Sequence, residues 1–198
     1  QMTWTCSNEV CDAPPPVLPP NSTCDQALNI NGCENAPQII PLTPGAGDPD
    51  FLQDGINQGC FDLPLPLNNH SFFYFQAAAN GKFGFTVQSA NPNEASDIDF
   101  NVWGPISTVA EICDFVSTHQ PIRSSWDEGA ELTGLADVHP VFGTPVSDNF
   151  DCGSPNTPGT DPPFGLADDF VRRLDVLTGQ IYVIMLDDYD GQIQENGI

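Results

Sequence analysis

The chain's most constraining feature is a run of three segments with the alternating pattern of β-strands. Residues 71–76 are rich in aromatic side chains, and residues 82–88 and 97–104 alternate apolar with polar positions. Asn80 and Gly81, between the first two segments, both tolerate a positive φ and are typical of a tight hairpin turn. The pattern predicts three consecutive strands of one antiparallel sheet.

Within these segments the apolar side chains are expected to share one face of the sheet and the polar side chains the other. The inward set is Phe83, Phe85, Val87, Ile98, Phe100 and Val102. The outward set includes Asp97, Asp99 and Asn101. Because an apolar face of this size needs a second layer to cover it, we predict an all-β fold. Its expected form is an antiparallel β-sandwich of jelly-roll type, with long disulfide-stapled loops.

The rest of the chain is expected to complete this sandwich. Residues 108–116 have helical spacing, and residues 121–126 are expected to form a strand. Residues 137–169 show no sustained periodicity and predict a long irregular section. Residues 168–177 and 180–186 are expected to close the sheet as two strands joined by a short turn. The second of these is continuously apolar, which is typical of a strand buried on both faces.

A length of 198 residues is sufficient for one hydrophobic core and short for two. We predict a proline-rich N-terminal arm or linker over residues 1–20, followed by a single β-sandwich domain over residues 21–198. The sequence contains no apolar run approaching the roughly 20 residues that a membrane-spanning helix needs.

Acidic residues dominate the charge, with 27 Asp and Glu against 4 Lys and Arg and a net charge of −23. This balance argues against nucleic acid as a partner, because phosphate binding needs clustered basic side chains. Solubility is the plainer explanation, and structural Ca²⁺ binding is the more specific one. The candidate carboxylates are Asp97, Asp99, Asp187, Asp188 and Asp190. Alternatively, these aspartates cap turns and solvate the ends of strands.

The seven cysteines are typical of a chain that forms disulfides in an oxidising compartment. They are Cys6, Cys11, Cys24, Cys33, Cys60, Cys113 and Cys152. The spacing includes no CxxC pair, which disfavours a zinc ribbon or a thioredoxin-like motif. Because seven is odd, one thiol is expected to be free or paired outside this chain.

Sequence motifs give no support for catalysis, and no catalytic residue is predicted. The chain has no GxSxG, no HExxH and no phosphate-binding glycine loop. His70, His119 and His139 are expected at the surface. The aromatic residues Trp103 and Trp126, together with Tyr189, are expected to pack in the core rather than form a sugar-stacking platform.

Several short motifs, in the same order, resemble a domain that recurs in secreted and surface-anchored proteins of Bacteroidota. Residues 71–75 (SFFYF), 81–87 (GKFGFTV) and 97–105 (DIDFNVWGP) are similar to its VWYxF, GxLxFTI and DxDFxxxGP motifs. Residues 133–135 (TGL) and 174–188 resemble its closing motifs. Chains with this domain are often labelled gliding-motility-associated or adhesin-like, and the domain is similar to pre-peptidase C-terminal-like domains.

The resemblance implies an extracellular or outer-surface location, with export by the type IX route, and a non-enzymatic role in adhesion or in assembly of a surface structure or filament. The expected partners are another surface protein or copies of this chain. The alternatives are a glycan, bound by a carbohydrate-binding accessory domain of a secreted hydrolase, and a hydrolase in its own right.

The resemblance also implies a disulfide pattern. The family's second Cys in the VRCN motif corresponds to Ser124 here, which leaves Cys152 as the expected partner of Cys113. Cys60 is then expected to bond Cys24 or Cys33. In the family a closing strand follows at the point where this chain reaches Ile198. We therefore expect either a continuation of the polypeptide or a strand lent by a neighbouring chain.

Overall fold

The computed structural model describes residues 21–30, 52, 56–61, 70–88, 97–126, 132–146, 149–152 and 170–188, and within these the fold is predominantly β, as predicted. The strands are β1 (Leu28–Asn29), β2 (Ser71–Gln76), β3 (Gly81–Phe83), β4 (Phe85–Gln88), β5 (Ile98–Ile106), β6 (Arg123–Ser125), β7 (Leu132–Leu135), β8 (Phe150–Asp151), β9 (Phe170–Val171), β10 (Leu174–Val176) and β11 (Ile181–Asp188). The helical elements are two 3₁₀ turns, Cys24–Gln26 and Val109–Glu111, and one α-helix, α1 (Ile112–Thr118).

The main sheet has six strands in the order β1-β2-β11-β5-β6-β8. Its central pairs are antiparallel, and at its centre Ile184 lies between Phe73 on β2 and Val102 on β5. The two outer pairs, β1 with β2 and β6 with β8, are parallel, so the sheet is mixed rather than purely antiparallel. The predicted strand over residues 180–186 is confirmed as β11, and its residues are buried on both faces.

A layer of two smaller sheets covers one face of the main sheet, which confirms a β-sandwich. We call it the small-sheet layer; it contains the pair β3-β10 and the trio β4-β7-β9. Strands β7 and β9 are parallel, which the sequence pattern did not predict. The core between the two layers includes Phe73, Phe100 and Ile184 from the main sheet, with Phe83 and Leu174 from the small-sheet layer.

A second layer, the helix layer, covers the opposite face of the main sheet and consists of α1, the two 3₁₀ turns and residues 56–61. Ile112 and Val116 of α1 pack with Phe61 against the buried ring of Trp103. The sequence prediction that Asp99 and Asn101 face solvent is therefore wrong, since both lie beneath this layer and are buried. The alternation of apolar and polar residues correctly assigned the side chains of β5 to its two faces. It did not show that the face with Asp99 and Asn101 is covered by the helix layer.

The predicted hairpin at Asn80-Gly81 is also wrong, because β2 and β3 belong to different layers. Asn80 Oδ1 instead accepts hydrogen bonds from the backbone N–H and the hydroxyl of Thr178, at 2.8 and 3.0 Å. The predicted closing pair likewise divides, with β10 bonded to β3 and β11 placed in the main sheet. The chain thus passes between the two layers twice at this end of the sandwich, once between β2 and β3 and once between β10 and β11. The Asn80 side chain connects these two segments.

Two disulfides connect distant parts of the chain, and neither is a predicted pair. Cys24 bonds Cys113, and Cys60 bonds Cys152, with sequence separations of 89 and 92 residues. Cys113 lies on α1, which packs against the 3₁₀ turn that contains Cys24. Cys60 is docked on β6, where its N–H donates to Ser124 Oγ at 2.9 Å, and Cys152 directly follows the neighbouring strand β8. Cys6, Cys11 and Cys33 lie outside the described residues.

The predicted helix and the strand after it are confirmed as α1 and β6, with bounds shifted by a few residues. The irregular section is described only in part, and there Val138 and Pro145 form an isolated antiparallel bridge. The predicted N-terminal arm and the residues after Asp188 lie outside the described part of the chain. None of the described helices is long and apolar enough to cross a membrane.

Candidate functional site

Two of the predicted cation ligands, Asp99 and Asp187, meet at one end of the main sheet. They are directly paired across β5 and β11, and their exposed fractions are 1% and 2%. Both side chains lie on the face that the helix layer covers, because their neighbours Trp103 and Met185 belong to that core. Directly opposed residues in an antiparallel pair have Cβ atoms roughly 4.5–5.5 Å apart. Two carboxylates at this separation repel one another unless a proton, a cation or hydrogen-bond donors offset their charge.

The other predicted ligands do not join this pair. Asp188 follows Asp187 on the same strand, so its side chain points to the opposite face, where Ile98 is its cross-strand neighbour. Asp97 precedes β5 and is partly exposed, and Asp190 lies outside the described residues. Among the described side chains, no group of three His, Cys, Asp or Glu is arranged to hold a metal ion. A cation at Asp99 and Asp187 would therefore need backbone carbonyls, amide oxygens or water to complete its shell.

His70 extends this row on the opposite side of Asp187. The β2–β11 register pairs Ser71 with Leu186, and one further step sets His70 opposite Asp187. The His70 ring is fully buried and lies edge-on to Phe72, with the ring centroids 5.6 Å apart. Three titratable side chains from three adjacent strands thus lie in one buried row at the end of the main sheet.

The prediction that the histidines are surface residues holds for His119 only, since His70 and His139 are buried. Strand spacing could have shown that His70 continues the alternation of β2 onto the face of Phe72. For His139 the local sequence carries no such signal, because its burial depends on a contact with Phe170 on β9.

The expectation that the tryptophans pack in the core is confirmed. Trp103 is fully buried, and its indole N–H donates to the His119 carbonyl at 2.9 Å. Trp126 is partly buried against the same core, and Tyr189 lies outside the described residues. Trp103 therefore presents no surface on which a sugar ring could stack.

The four basic residues of the chain gather at the small-sheet layer. Lys82 on β3 contacts Asp137 at 3.8 Å and Asp175 at 3.5 Å. Arg172 and Arg173 link β9 to β10 and are both exposed. Arg123 reaches them from β6, since its Nε donates to the Arg172 carbonyl at 2.7 Å and its guanidinium also donates to the Arg173 carbonyl at 3.3 Å. Sequence reasoning treated these residues only as a count and missed their clustering, which depends on long-range pairing.

An exposed apolar loop adjoins this basic cluster. It follows Asp137, and its side chains Val138, Val141 and Phe142 are 54%, 62% and 70% exposed. The buried His139 holds the loop in shape, because its Nδ1 accepts hydrogen bonds from the N–H groups of Val141 and Phe142, both at 3.1 Å. The same ring stacks on Phe142 at 4.4 Å. Exposed aromatic and aliphatic side chains held in a fixed conformation are typical of an interaction surface.

No family model matches the chain, and comparisons with curated proteins and with solved structures return no significant match. The resemblance to the Bacteroidota domain accordingly remains an expectation from the motifs themselves.

Proposed function

We propose that this chain is a non-enzymatic extracellular module of a cell-surface or secreted protein that acts in adhesion or in assembly of a surface structure. The observation that carries the proposal is the apolar loop, whose Phe142 is 70% exposed and stacks on His139. The His139 ring in turn contacts Phe170, two residues before the exposed pair Arg172 and Arg173. Phenylalanine and arginine are enriched at protein–protein interfaces. A preformed loop also loses little conformational entropy on binding, which favours affinity.

The two disulfides support the extracellular part of the proposal. Cys24–Cys113 joins two elements of the helix layer, and Cys60–Cys152 joins residues 56–61 of that layer to the end of β8 in the main sheet; such bonds persist in oxidising environments. An outer-surface location and export by the type IX route are the more specific form of the proposal, and the motif resemblance supports them. A jelly-roll connection of the strands belongs to the same proposal and is supported by the sandwich of two layers.

A structural Ca²⁺ ion is part of the proposal as well. It would lie at Asp99 and Asp187, whose opposed and buried carboxylates would gain from a divalent counter-charge. The carbohydrate-binding alternative is weaker, because Trp103 lies in the core.

A binding survey with and without calcium tests the proposal. The chain is applied to a glycan array, to surface proteins and to immobilised copies of itself, and is assayed for turnover of glycan and peptide substrates. We expect protein binding that Phe142→Ser weakens, with no turnover. Binding confined to glycans would favour the accessory-domain alternative. Turnover that a single Asp or His substitution abolishes would refute a non-enzymatic role.

A further inference from the structure

The charges of the described residues are distributed unequally between the two outer layers of the molecule. All four basic residues lie in the small-sheet layer or face it from β6, where Lys82 pairs with the exposed Asp137 and Asp175. We call Arg172 and Arg173 the basic pole, since both are exposed there. Arg123 positions the pole by binding the carbonyls of Arg172 and Arg173.

The helix layer on the opposite side presents acidic residues. Asp25, Glu111 and Asp114 are exposed on its two 3₁₀ turns and on α1, and we call them the acidic pole. The Cys24–Cys113 disulfide fixes the two turns and the helix to one another. No Lys or Arg lies in this layer, because all four are accounted for on the other side of the main sheet. The poles face away from each other, with the main sheet between them.

We infer that copies of this chain associate head to tail, with the basic pole of one copy contacting the acidic pole of the next. This inference rests on the proposed role in assembly and names the two surfaces that would carry it. A second copy suits this contact, since each copy offers both complementary surfaces. A contact between two different surfaces of identical subunits propagates into a filament when its rotation does not close a ring.

Apolar contacts accompany the charges at both poles. On the same layer as the basic pole, the apolar loop presents Val141 and Phe142, and at the acidic pole Val109, two residues before Glu111, is 45% exposed. Apolar contact supplies affinity, whereas complementary charges determine which surfaces meet. Like poles repel one another, so the polarity of the contact is fixed.

The net charge of −23 does not prevent this association in a saline exterior. At physiological ionic strength the Debye length is about 8 Å, so charges remote from the contact are largely screened. Only the groups at the two poles then interact strongly. An anionic polysaccharide or an anionic membrane would engage the basic pole alone, whereas a second copy engages both poles.

Charge reversal of each pole tests the inference in sedimentation velocity runs at about 0.15 M salt, near the physiological ionic strength. Arg172→Glu with Arg173→Glu reverses the basic pole, and Glu111→Lys with Asp114→Lys reverses the acidic pole. We expect each double variant to associate at least tenfold more weakly than the natural sequence. Arg172→Lys with Arg173→Lys is the matched control, which keeps the charge and should associate within about threefold of the natural sequence.

Mixing the two charge-reversed variants is the decisive experiment for contact between the poles. Each variant retains one natural pole, and the two reversed poles also complement one another, so the mixture should regain association that neither variant shows alone. Because both variants must be folded to restore it, loss through misfolding is distinguished from loss of the contact. A mixture that stays monomeric while both variants show the circular dichroism and melting temperature of the natural sequence overturns the inference.

Further outcomes separate this inference from the proposed function. Association that neither reversal changes by more than about threefold overturns the pole assignment and leaves the role in assembly intact. A natural sequence that remains monomeric also overturns the inference, and adhesion to surface proteins is then judged by the binding survey. Binding of the basic pole to heparin or to phosphatidylserine vesicles, with no self-association, assigns it to an anionic partner instead.

Discussion

Asp187 lies directly opposite Asp99 on adjacent strands of the main sheet, and the covering helix layer buries both side chains. Of the five carboxylates predicted as cation ligands, only these two are brought together within the described residues. Alternation assigned Asp99 to the face opposite the Phe100 core, and a long-range strand pairing brought Asp187 to it. Asp97, Asp188 and Asp190 were expected to contribute ligands, yet the strand geometry turns Asp188 to the other face.

Calcium should stabilise the protein through this pair. A ligand that binds only the native state raises stability by RT ln(1 + [L]/Kd), so calcium at about 100 times its Kd would add about 2.7 kcal/mol. We expect the melting temperature to rise with calcium and to fall with EDTA. In Asp99→Asn and in Asp187→Asn the response should disappear. Asp175→Asn is the control, because that carboxylate is exposed on β10 at 3.5 Å from Lys82. Melting curves that calcium and chelator leave unchanged contradict the site.

The disulfides should be among the largest single contributions to stability. Each closes a loop of about 90 residues, for which the chain-entropy model gives about 4–5 kcal/mol. Replacing Cys24 and Cys113 together by serine should lower the free energy of unfolding by about 2–5 kcal/mol and loosen α1 from the 3₁₀ turn that contains Cys24. Urea unfolding measures the first effect, and hydrogen exchange of α1 amides measures the second.

Non-reducing peptide mapping checks the pairing directly. A peptide joining Cys24 to Cys113 and one joining Cys60 to Cys152 are expected. A peptide joining Cys113 to Cys152 would restore the pairing that the motif resemblance implied and contradict the structure.

The sequence predicted individual strands well and their partners poorly, and the reason is physical. Alternation and apolar runs report the burial of a single segment, so β11 and the core face of β5 were recognisable. Pairing depends on loops that bring distant segments together, and the hairpin that Asn80-Gly81 predicted gives way to the pairing of β3 with β10 and of β2 with β11. The clustering of the basic residues could not be predicted for the same reason, because Arg123 contacts Arg172 and Arg173 only after distant strands have come together.

Gly134 on β7 should be intolerant of any side chain. A Cβ at this position would collide with the carbonyl oxygen of Phe85 on the paired strand β4, where backbone rather than a flexible side chain must give way. Gly134→Ala is expected to destabilise the protein by about 1–3 kcal/mol. Gly81→Ala is the matched control, since a Cβ there meets no atom within 4 Å. Equal melting temperatures for the two variants would contradict the packing of β7 on β4.

Tyr182 should make stability depend on pH at the alkaline end. Its ring is buried between the layers, where it stacks on Phe75 at 5.3 Å, and its hydroxyl donates to Gln180 Oε1 at 2.8 Å. Burial raises the pKa of Tyr182 above its usual value of 10.0, because desolvation disfavours the phenolate. The unfolded chain therefore releases this proton at a lower pH than the folded chain does.

The direction of the effect follows from that difference. Below pH 10 the hydroxyl is protonated in both states, so its contribution to stability is fully present there. As pH rises through the folded-state pKa the contribution is lost, because the unfolded state binds fewer protons. Tyr182→Phe keeps the ring and removes the titrating group, so the fall in unfolding free energy between pH 9 and pH 11 should be shallower in the variant. Urea titrations across this range measure it, and identical slopes for both proteins would show that Tyr182 does not titrate with folding.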